Sequence, residues 1–129
     1  MIELTTRTEH IILDKSGIVF CQVFDGVYMH LVDAKENMAS IEMLAKGRKV
    51  PVLVDIRKSI GLSQKCRAYF ASEAVQKTQS ACAVIVSSIL SRLLASFFLG
   101  VNKPKIPLKI FDDKVTAKKW LLDTFRNKV

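Results

Sequence analysis

The chain has 129 residues, of which half are hydrophobic and a quarter are charged, and its formal net charge is +8. This length and balance are typical of one globular domain, and they exclude both a disordered chain and a pair of full-sized domains. The three cysteines lie in apolar stretches without metal-ligand spacing, which favours buried thiols in a reducing cytosol. We therefore expect a single cytoplasmic domain over residues 1–129.

The first third of the chain predicts a hairpin, a further strand and a helix. His10–Leu13 and Ile18–Phe24 have the composition of two antiparallel strands joined by a short polar turn. Val27–Val32 is predicted as a third strand, and Asp33 as the cap of a helix that Gly47 ends. Apolar residues at helical spacing predict the buried face of this helix: Ala34, Met38, Ile41, Leu44 and Ala45.

The segment Val50–Ile56 is predicted as the central strand of the sheet. Its continuous run of β-branched and other apolar residues is typical of a parallel strand buried on both faces. Asp55 comes near the end of this strand, and Ser63 is predicted to cap the helix that follows. Ligands and switches gather beyond the carboxyl ends of such strands. The connection from the end of this strand to the start of the next helix is therefore the candidate site, which we call the candidate corner.

The second half of the chain predicts two more strands and two more helices after the one capped by Ser63. Ala81–Val86 and Leu108–Phe111 are predicted as strands, with a nearly all-apolar helix over Ile89–Leu99 between them. Either Asp112 or Asp113 caps the last helix. The buried stripe of that helix is predicted to consist of Ala117, Trp120, Leu121 and Phe125.

Residues 81–101 are long and apolar enough to suggest a membrane span. Arg92 lies near the centre of this stretch, however, where a charged side chain costs about 2.5–3.5 kcal/mol on insertion scales. A strand, a turn and a helix account for the same residues, so we expect no membrane span. The element order then predicts an α/β domain with a mixed, mostly parallel sheet of about five strands, an N-terminal antiparallel hairpin and four helices.

Two groups of residues carry a resemblance to a known family: Val52-Leu-Val-Asp-Ile56 running into Gly61-Leu-Ser63, and Phe111-Asp112 followed by Ala117 and Trp120-Leu121. Together with the element order, they resemble the STAS domains of bacterial anti-sigma-factor antagonists. The resemblance is closer still to the STAS/SEC14-like group of small uncharacterised bacterial proteins, and it covers almost the whole chain. It implies a STAS-like fold and a non-enzymatic regulatory module that binds another protein.

The resemblance also implies a switch. In STAS antagonists, phosphorylation of a serine at the start of the helix after the central strand controls docking to a kinase-type partner. By position Ser63 has that role here, with Ser59 as a second candidate; the alternative is that Ser63 is an unmodified helix cap. The predicted switch or partner-binding residues are Asp55, Arg57, Lys58, Ser59, Ser63, Lys65 and Arg67.

The charge distribution permits an acidic partner for this corner, whether nucleic acid, anionic lipid or an acidic protein surface. Residues 46–67 contain seven basic side chains and one acidic side chain. A helix N-terminus favours a phosphate, and neighbouring cations strengthen that preference. We expect an acidic protein surface as partner; the alternative is a solvated basic face without a dedicated ligand. No pattern specific for nucleic acid accompanies the charge.

The SEC14 side of the resemblance implies an alternative function, in which the chain binds or carries a lipid-like or other apolar small molecule. A helix that is apolar on nearly every face, as over Ile89–Leu99, has to be covered by a second chain, a lipid tail or the terminal helix. A homodimer through this helix is the simplest arrangement. The predicted ligand or dimer surface consists of Leu93, Leu94, Phe97, Phe98 and Trp120.

Catalysis has no support in the sequence. His10 and His30 lie in strand-like segments without a nearby serine or cysteine elbow, so no triad is assembled. The glycines are scattered singly, which excludes a glycine-rich phosphate loop. We therefore expect no catalytic residue, no cofactor and no metal.

Overall fold

A computed structural model of the chain describes residues 2–87 and 106–126. The predicted helix over Ile89–Leu99 lies outside these ranges. The strands and helices of the described ranges are, in chain order, β1 (Ile2–Thr5), β2 (Glu9–Leu13), β3 (Val19–Val23), β4 (Tyr28–Met29), α1 (Leu31–Ala45), β5 (Val50–Asp55), β6 (Gly61–Leu62), α2 (Gln64–Phe70), α3 (Glu73–Gln76), β7 (Gln79–Ile85), β8 (Leu108–Phe111) and α4 (Lys114–Arg126).

Six of these strands form one sheet in the order β1-β2-β3-β5-β7-β8. The first three strands pair antiparallel, and β3, β5, β7 and β8 pair parallel. The strand β5 lies between β3 and β7, where a run of apolar residues is buried from both sides. The α/β class, the antiparallel hairpin and the central position of β5 are therefore confirmed.

Alternating side chains of β5 belong to two different cores, one on each face of the sheet. Leu53 packs with Ile85 and with Leu121 of α4 on one face. Val52 packs on the other face with Met38 of α1. Because side chains of a strand alternate between its faces, one short segment organises both layers of the domain.

The segment predicted as a third strand, Val27–Val32, is divided between two elements. Only Tyr28–Met29 is extended, and it pairs in parallel with Gly61–Leu62 to form a two-stranded sheet apart from the main one. We call this two-stranded sheet, β4 and β6, the ribbon. Helix α1 already begins at Leu31, because Asp33 accepts the backbone N–H of His30 at 3.0 Å from inside the first turn rather than from the cap position itself.

The helix predicted after Ser63 is interrupted. The hydroxyl of Ser63 accepts the backbone N–H of Cys66 at 3.1 Å, as a cap does, but α2 ends at Phe70 and a new helix, α3, starts after Ser72. The interruption changes which residues face inward. An uninterrupted helix with Cys66, Tyr69 and Phe70 inward would also place Ala74 inward, but Ala74 is exposed and Val75 is buried instead.

The buried faces of the two long helices agree with the sequence pattern. All five apolar residues predicted for α1 are buried. Ala117 and Leu121 of α4 are fully buried, and Asp113 caps this helix by accepting the backbone N–H of Thr116 at 2.8 Å. Among the described residues, no helix has the length and apolar character needed to cross a membrane.

Candidate functional site

The candidate corner begins with a buried carboxylate, Asp55, at the end of the central strand. Its side chain is 2% exposed. The guanidinium of Arg57 donates to both of its oxygens, with Nη2 at 2.7 Å from Oδ2 and Nε at 3.0 Å from Oδ1. Gln22 of the neighbouring strand β3 donates its amide to Oδ2 at 3.2 Å. Burial by itself raises the pKa of Asp55, but these hydrogen bonds and the charge of Arg57 outweigh it, so the pKa is lowered.

Backbone hydrogen bonds hold the segment after Asp55 against the β3–α1 connection. Gly26 donates its N–H to the carbonyl of Lys58 at 3.0 Å, and Ile60 donates to the carbonyl of Val27 at 2.9 Å. Ser63 donates its N–H to the carbonyl of Met29 at 3.0 Å. The corner is therefore one side of the ribbon, and its shape is fixed by pairing with a segment about 30 residues earlier in the sequence.

The two candidate serines differ in accessibility. Ser59 is buried, and its hydroxyl lies 3.4 Å from both the carbonyl oxygen of Val27 and the amide nitrogen of Gly61. Ser63 is half-buried at the cap of α2. Ser63 is therefore the more accessible of the two serines.

The predicted cations surround the ribbon but have different roles. Lys58 and Lys65 are exposed, and Arg67 is half-buried on α2. Arg57 is also exposed, yet its guanidinium is held by Asp55, with the charge of Asp113 at the start of α4 acting on it as well. We therefore assign Arg57 a positioning role, and we take Lys58 and Lys65 as the charges that face solvent.

Exposed apolar side chains occur close to these lysines in the sequence and on the strand that pairs with this segment, and the sequence pattern did not predict them. Among the described residues, the most exposed large apolar side chains are Ile2, Tyr28, Val32, Met43, Ile60 and Val115. Three of them belong to one region: Tyr28 is on β4, Ile60 immediately precedes β6, and Val32 is in the first turn of α1. We call these three residues the ribbon patch. The alternation of apolar and polar residues could not predict the ribbon patch, because the two ribbon strands have only two residues each.

A second ion pair anchors the opposite side of the ribbon. Arg7 donates from Nε to Asp33 at 2.8 Å and from Nη2 to the other oxygen at 2.6 Å. The same Nη2 lies 3.2 Å from the carbonyl oxygen of Tyr28, on β4. Arg7 thereby lowers the pKa of Asp33, whose side chain is 5% exposed. The start of α1 and the strand β4 are thus joined to the loop between β1 and β2.

The predicted apolar surface is only partly described. Leu93, Leu94, Phe97 and Phe98 lie outside the described residues. Trp120 is half-buried in the core beneath α4, with its ring centroid 5.6 Å from that of Phe111. In residues 2–87 and 106–126, no group of three or more His, Cys, Asp or Glu side chains is arranged to hold a metal ion.

The sequence analysis also did not predict a buried glutamate, Glu9, on the face of the sheet opposite α4. Glu9 of β2 is 5% exposed and lines a cavity of about 140 Å³ between the sheet and the helices α1 to α3. Burial raises its pKa to about 7, and a contact with the Cys21 thiol lowers it only in part. The signal was present in the sequence, since Glu9 alternates in phase with Ile11, which is fully buried.

Glu9 predicts a pH dependence of stability. Its pKa in the folded chain lies above that of an exposed glutamate, so the folded state loses stability as the pH rises from about 4.5 to above 7. The full effect is about 3 kcal/mol in the free energy of unfolding. We expect the variant Glu9→Gln to lose this part of the pH dependence and to be more stable than the parent at pH 8, as measured by urea unfolding.

The control is Glu42→Gln, which changes an exposed glutamate on α1 in the same way. It should unfold with the pH dependence of the parent chain. The account of Glu9 is wrong if the Glu9→Gln and Glu42→Gln variants show the same change of stability between pH 5 and pH 8.

The chain is similar to a solved structure from Shewanella loihica PV-4, an uncharacterized protein from the DUF3478 family with a SpoIIAA-like fold. The two are 21% identical, the match covers 92% of this chain and 98% of that chain, and the TM-score is 0.64. No curated protein matches the chain.

These findings support the fold that the sequence resemblance implies. A SpoIIAA-like fold is STAS-like, so the STAS-like architecture is confirmed at the level of the fold. At 21% identity, the similarity supports the shared fold but does not allow the role of any residue to be transferred between the two proteins. A family model described as "Domain of unknown function (DUF7793)" matches residues 11–125. The chain therefore belongs to the DUF7793 family.

Proposed function

We propose that this domain is a non-enzymatic, cytoplasmic interaction module of the STAS type, and that it binds an acidic protein partner through the ribbon patch and the lysines beside it. One observation carries the proposal: Tyr28 and Ile60 are 43% and 54% exposed on a ribbon that is held in place from both sides. Exposed apolar groups within a polar rim are typical of protein-binding surfaces, where tyrosine is enriched.

The charges around the patch support an acidic partner. Lys58 lies two residues before Ile60, and Lys65 is on the first turn of α2, immediately after the ribbon. Lysines at the rim of an interface speed association with a surface of opposite charge and penalise basic competitors. The apolar side chains of the ribbon patch become buried when the partner binds, and the lysines select for a partner with an acidic surface.

The fixed shape of the ribbon supports binding without a large rearrangement. Backbone hydrogen bonds from Gly26, Ile60 and Ser63 close the ribbon, and the ion pairs of Asp55 and Asp33 hold its two ends. A surface that is ordered before it binds loses less conformational entropy in the complex. The two ion pairs therefore fix the shape of the ribbon, and the exposed apolar residues and lysines make the contacts.

Site-specific photo-crosslinking in the native host tests this proposal. A photoreactive amino acid at Ile60 should give a discrete adduct with one acidic protein, whereas the same amino acid at Met43 should not. Met43 is the matched control because it is 67% exposed but lies on α1, far along the helix from the ribbon. The double variant Lys58→Glu, Lys65→Glu should reduce the Ile60 adduct severalfold.

Two outcomes contradict the proposal. An equal pattern of adducts at Ile60 and Met43 means that the patch has no preferred partner. An Ile60 adduct that survives reversal of both lysine charges means that the partner is not recognised by its acidity.

We further propose that phosphorylation of Ser63 is the switch of this surface. A phosphate adds a charge of about −1.5 to −2 beside Lys65 and opposes an acidic partner. The variants Ser63→Ala and Ser63→Asp separate capping from charge. Ser63→Ala should lose about 1 kcal/mol in the free energy of unfolding, whereas Ser63→Asp retains a good cap and should unfold like the parent chain.

Only the added charge should act on the partner. Ser63→Asp should weaken the Ile60 adduct, and Ser63→Ala should leave it intact. Ser40→Ala, on α1, is the control and should change stability by less than about 0.5 kcal/mol. The switch is refuted if Ser63→Asp gives as much adduct as the parent, or if protein purified from the host under several growth conditions carries no phosphate at Ser63 in mass spectra.

A second candidate function, binding of an apolar small molecule, is supported by the cavity beside Glu9. Its volume of about 140 Å³ is close to the roughly 150 Å³ of an engineered cavity that takes up benzene in another protein. The cavity is on the opposite face of the sheet from α4, so this function does not depend on Trp120.

A further inference from the structure

The walls of the cavity are formed by side chains that the parallel strands direct toward α1, α2 and α3. Among the described lining residues are Cys21 of β3, Val52 and Val54 of β5, and Cys82 and Val84 of β7. Val54 is only half-buried although β5 is central in the sheet. Val54 packs against the apolar clusters on this face and lines the cavity.

One charged side chain meets this apolar space. Glu9 lines the cavity and is nine-tenths or more buried, and no lysine, arginine or histidine is among the described lining residues. Among the other polar side chains of the described lining, Asn37, Ser59 and Gln76 have protein partners. Asn37 donates its amide to Thr8 at 2.8 Å and accepts the hydroxyl of Thr6 at 2.6 Å. The Ser59 hydroxyl donates to the carbonyl of Val27.

A buried carboxylate without a cation is expensive, since buried charges in proteins are normally paired. The pKa of Glu9, raised to about 7 by burial, reflects this cost. The titratable groups around it from β3, β7 and α2 are the thiols of Cys21, Cys82 and Cys66, whose pKa values burial also raises. These thiols stay neutral at physiological pH, so Glu9 is the group that changes charge there.

We infer that the cavity binds a compact apolar molecule that carries a primary amine, with the ammonium group on Glu9 and the apolar body against Val52, Val54 and Val84. The inference rests on the second candidate function above and names the chemical class of its ligand. Charge complementarity selects the amine: an ammonium supplies the cation that the described lining lacks, a hydroxyl supplies only a donor, and a carboxylate is repelled.

Three probes with the same ring distinguish these head groups: benzylamine, benzyl alcohol and benzoate. Titrations of the full chain followed by amide NMR at pH 8 should show saturable benzylamine binding, with shifts on Cys21, Val54 and Val84. Benzyl alcohol should bind about tenfold more weakly, and benzoate should not bind. Benzylamine affinity should fall as the pH is lowered from 8 to 5.5, because Glu9 takes up a proton while the amine stays charged.

The variant Glu9→Gln should weaken benzylamine about tenfold and leave benzyl alcohol unchanged, and the control Glu42→Gln should change neither. The inference is overturned if benzyl alcohol or benzoate binds as tightly as benzylamine, which leaves an apolar site without amine selectivity. It is also overturned if none of the three binds, in which case the second function fails with it. The pH series uses the parent chain, so it decides the matter even if Glu9→Gln does not fold.

Discussion

The structure depends on one ion pair at the end of the central strand, between the buried carboxylate of Asp55 and the exposed guanidinium of Arg57. The carboxylate has almost no contact with water, so its charge is tolerable only because Arg57 and Gln22 satisfy it. Arg57 is two residues further along the chain, and it also donates its backbone N–H to Asp55 at 3.0 Å. The pair therefore fixes the direction of the chain where it leaves the sheet, and the ribbon follows from that direction.

The two faces of the sheet have different packing, and this difference separates the two proposed functions. On the face of Leu53 and Ile85, α4 covers the strands with fully buried apolar side chains. On the face of Val52, helices α1 to α3 leave a cavity with Glu9 in its wall. The ribbon lies beyond the carboxyl ends of β3 and β5, and its inner residues Met29 and Leu62 also line the cavity. The exposed residues Tyr28 and Ile60 do not line it, so the two proposals assign their contacts to different side chains.

The sequence predicts best what depends on neighbouring residues. The apolar run of β5, its end at Asp55 and the cap at Ser63 are local signals, and all three agree with the structure. The ribbon was missed because Tyr28 pairs with Gly61, a contact between distant segments that leaves no local period. Strand β1 was missed because its residues are mostly exposed at the edge of the sheet, so no apolar pattern marks it.

The residues of the candidate corner could be located from the sequence, but their individual roles could not. Lysines and arginines near a helix start look alike in a sequence, and only the geometry separates Arg57, held by Asp55, from Lys58 and Lys65, which face solvent. Glu9 was predictable in principle from its alternation with Ile11. The cavity beside Glu9 was not predictable, because it depends on how helices and strands from distant parts of the chain fill space.

Amide hydrogen exchange of the variant Asp55→Asn tests the central claim most directly, with Asp25→Asn, in an exposed turn, as its control. If the Asp55–Arg57 pair holds the ribbon, the amides of Ile60 and Ser63 should exchange at least about tenfold faster in Asp55→Asn, while amides in the middle of β5 keep their protection. Unchanged exchange at Ile60 and Ser63, or an equal loss of protection throughout the sheet, would contradict the account.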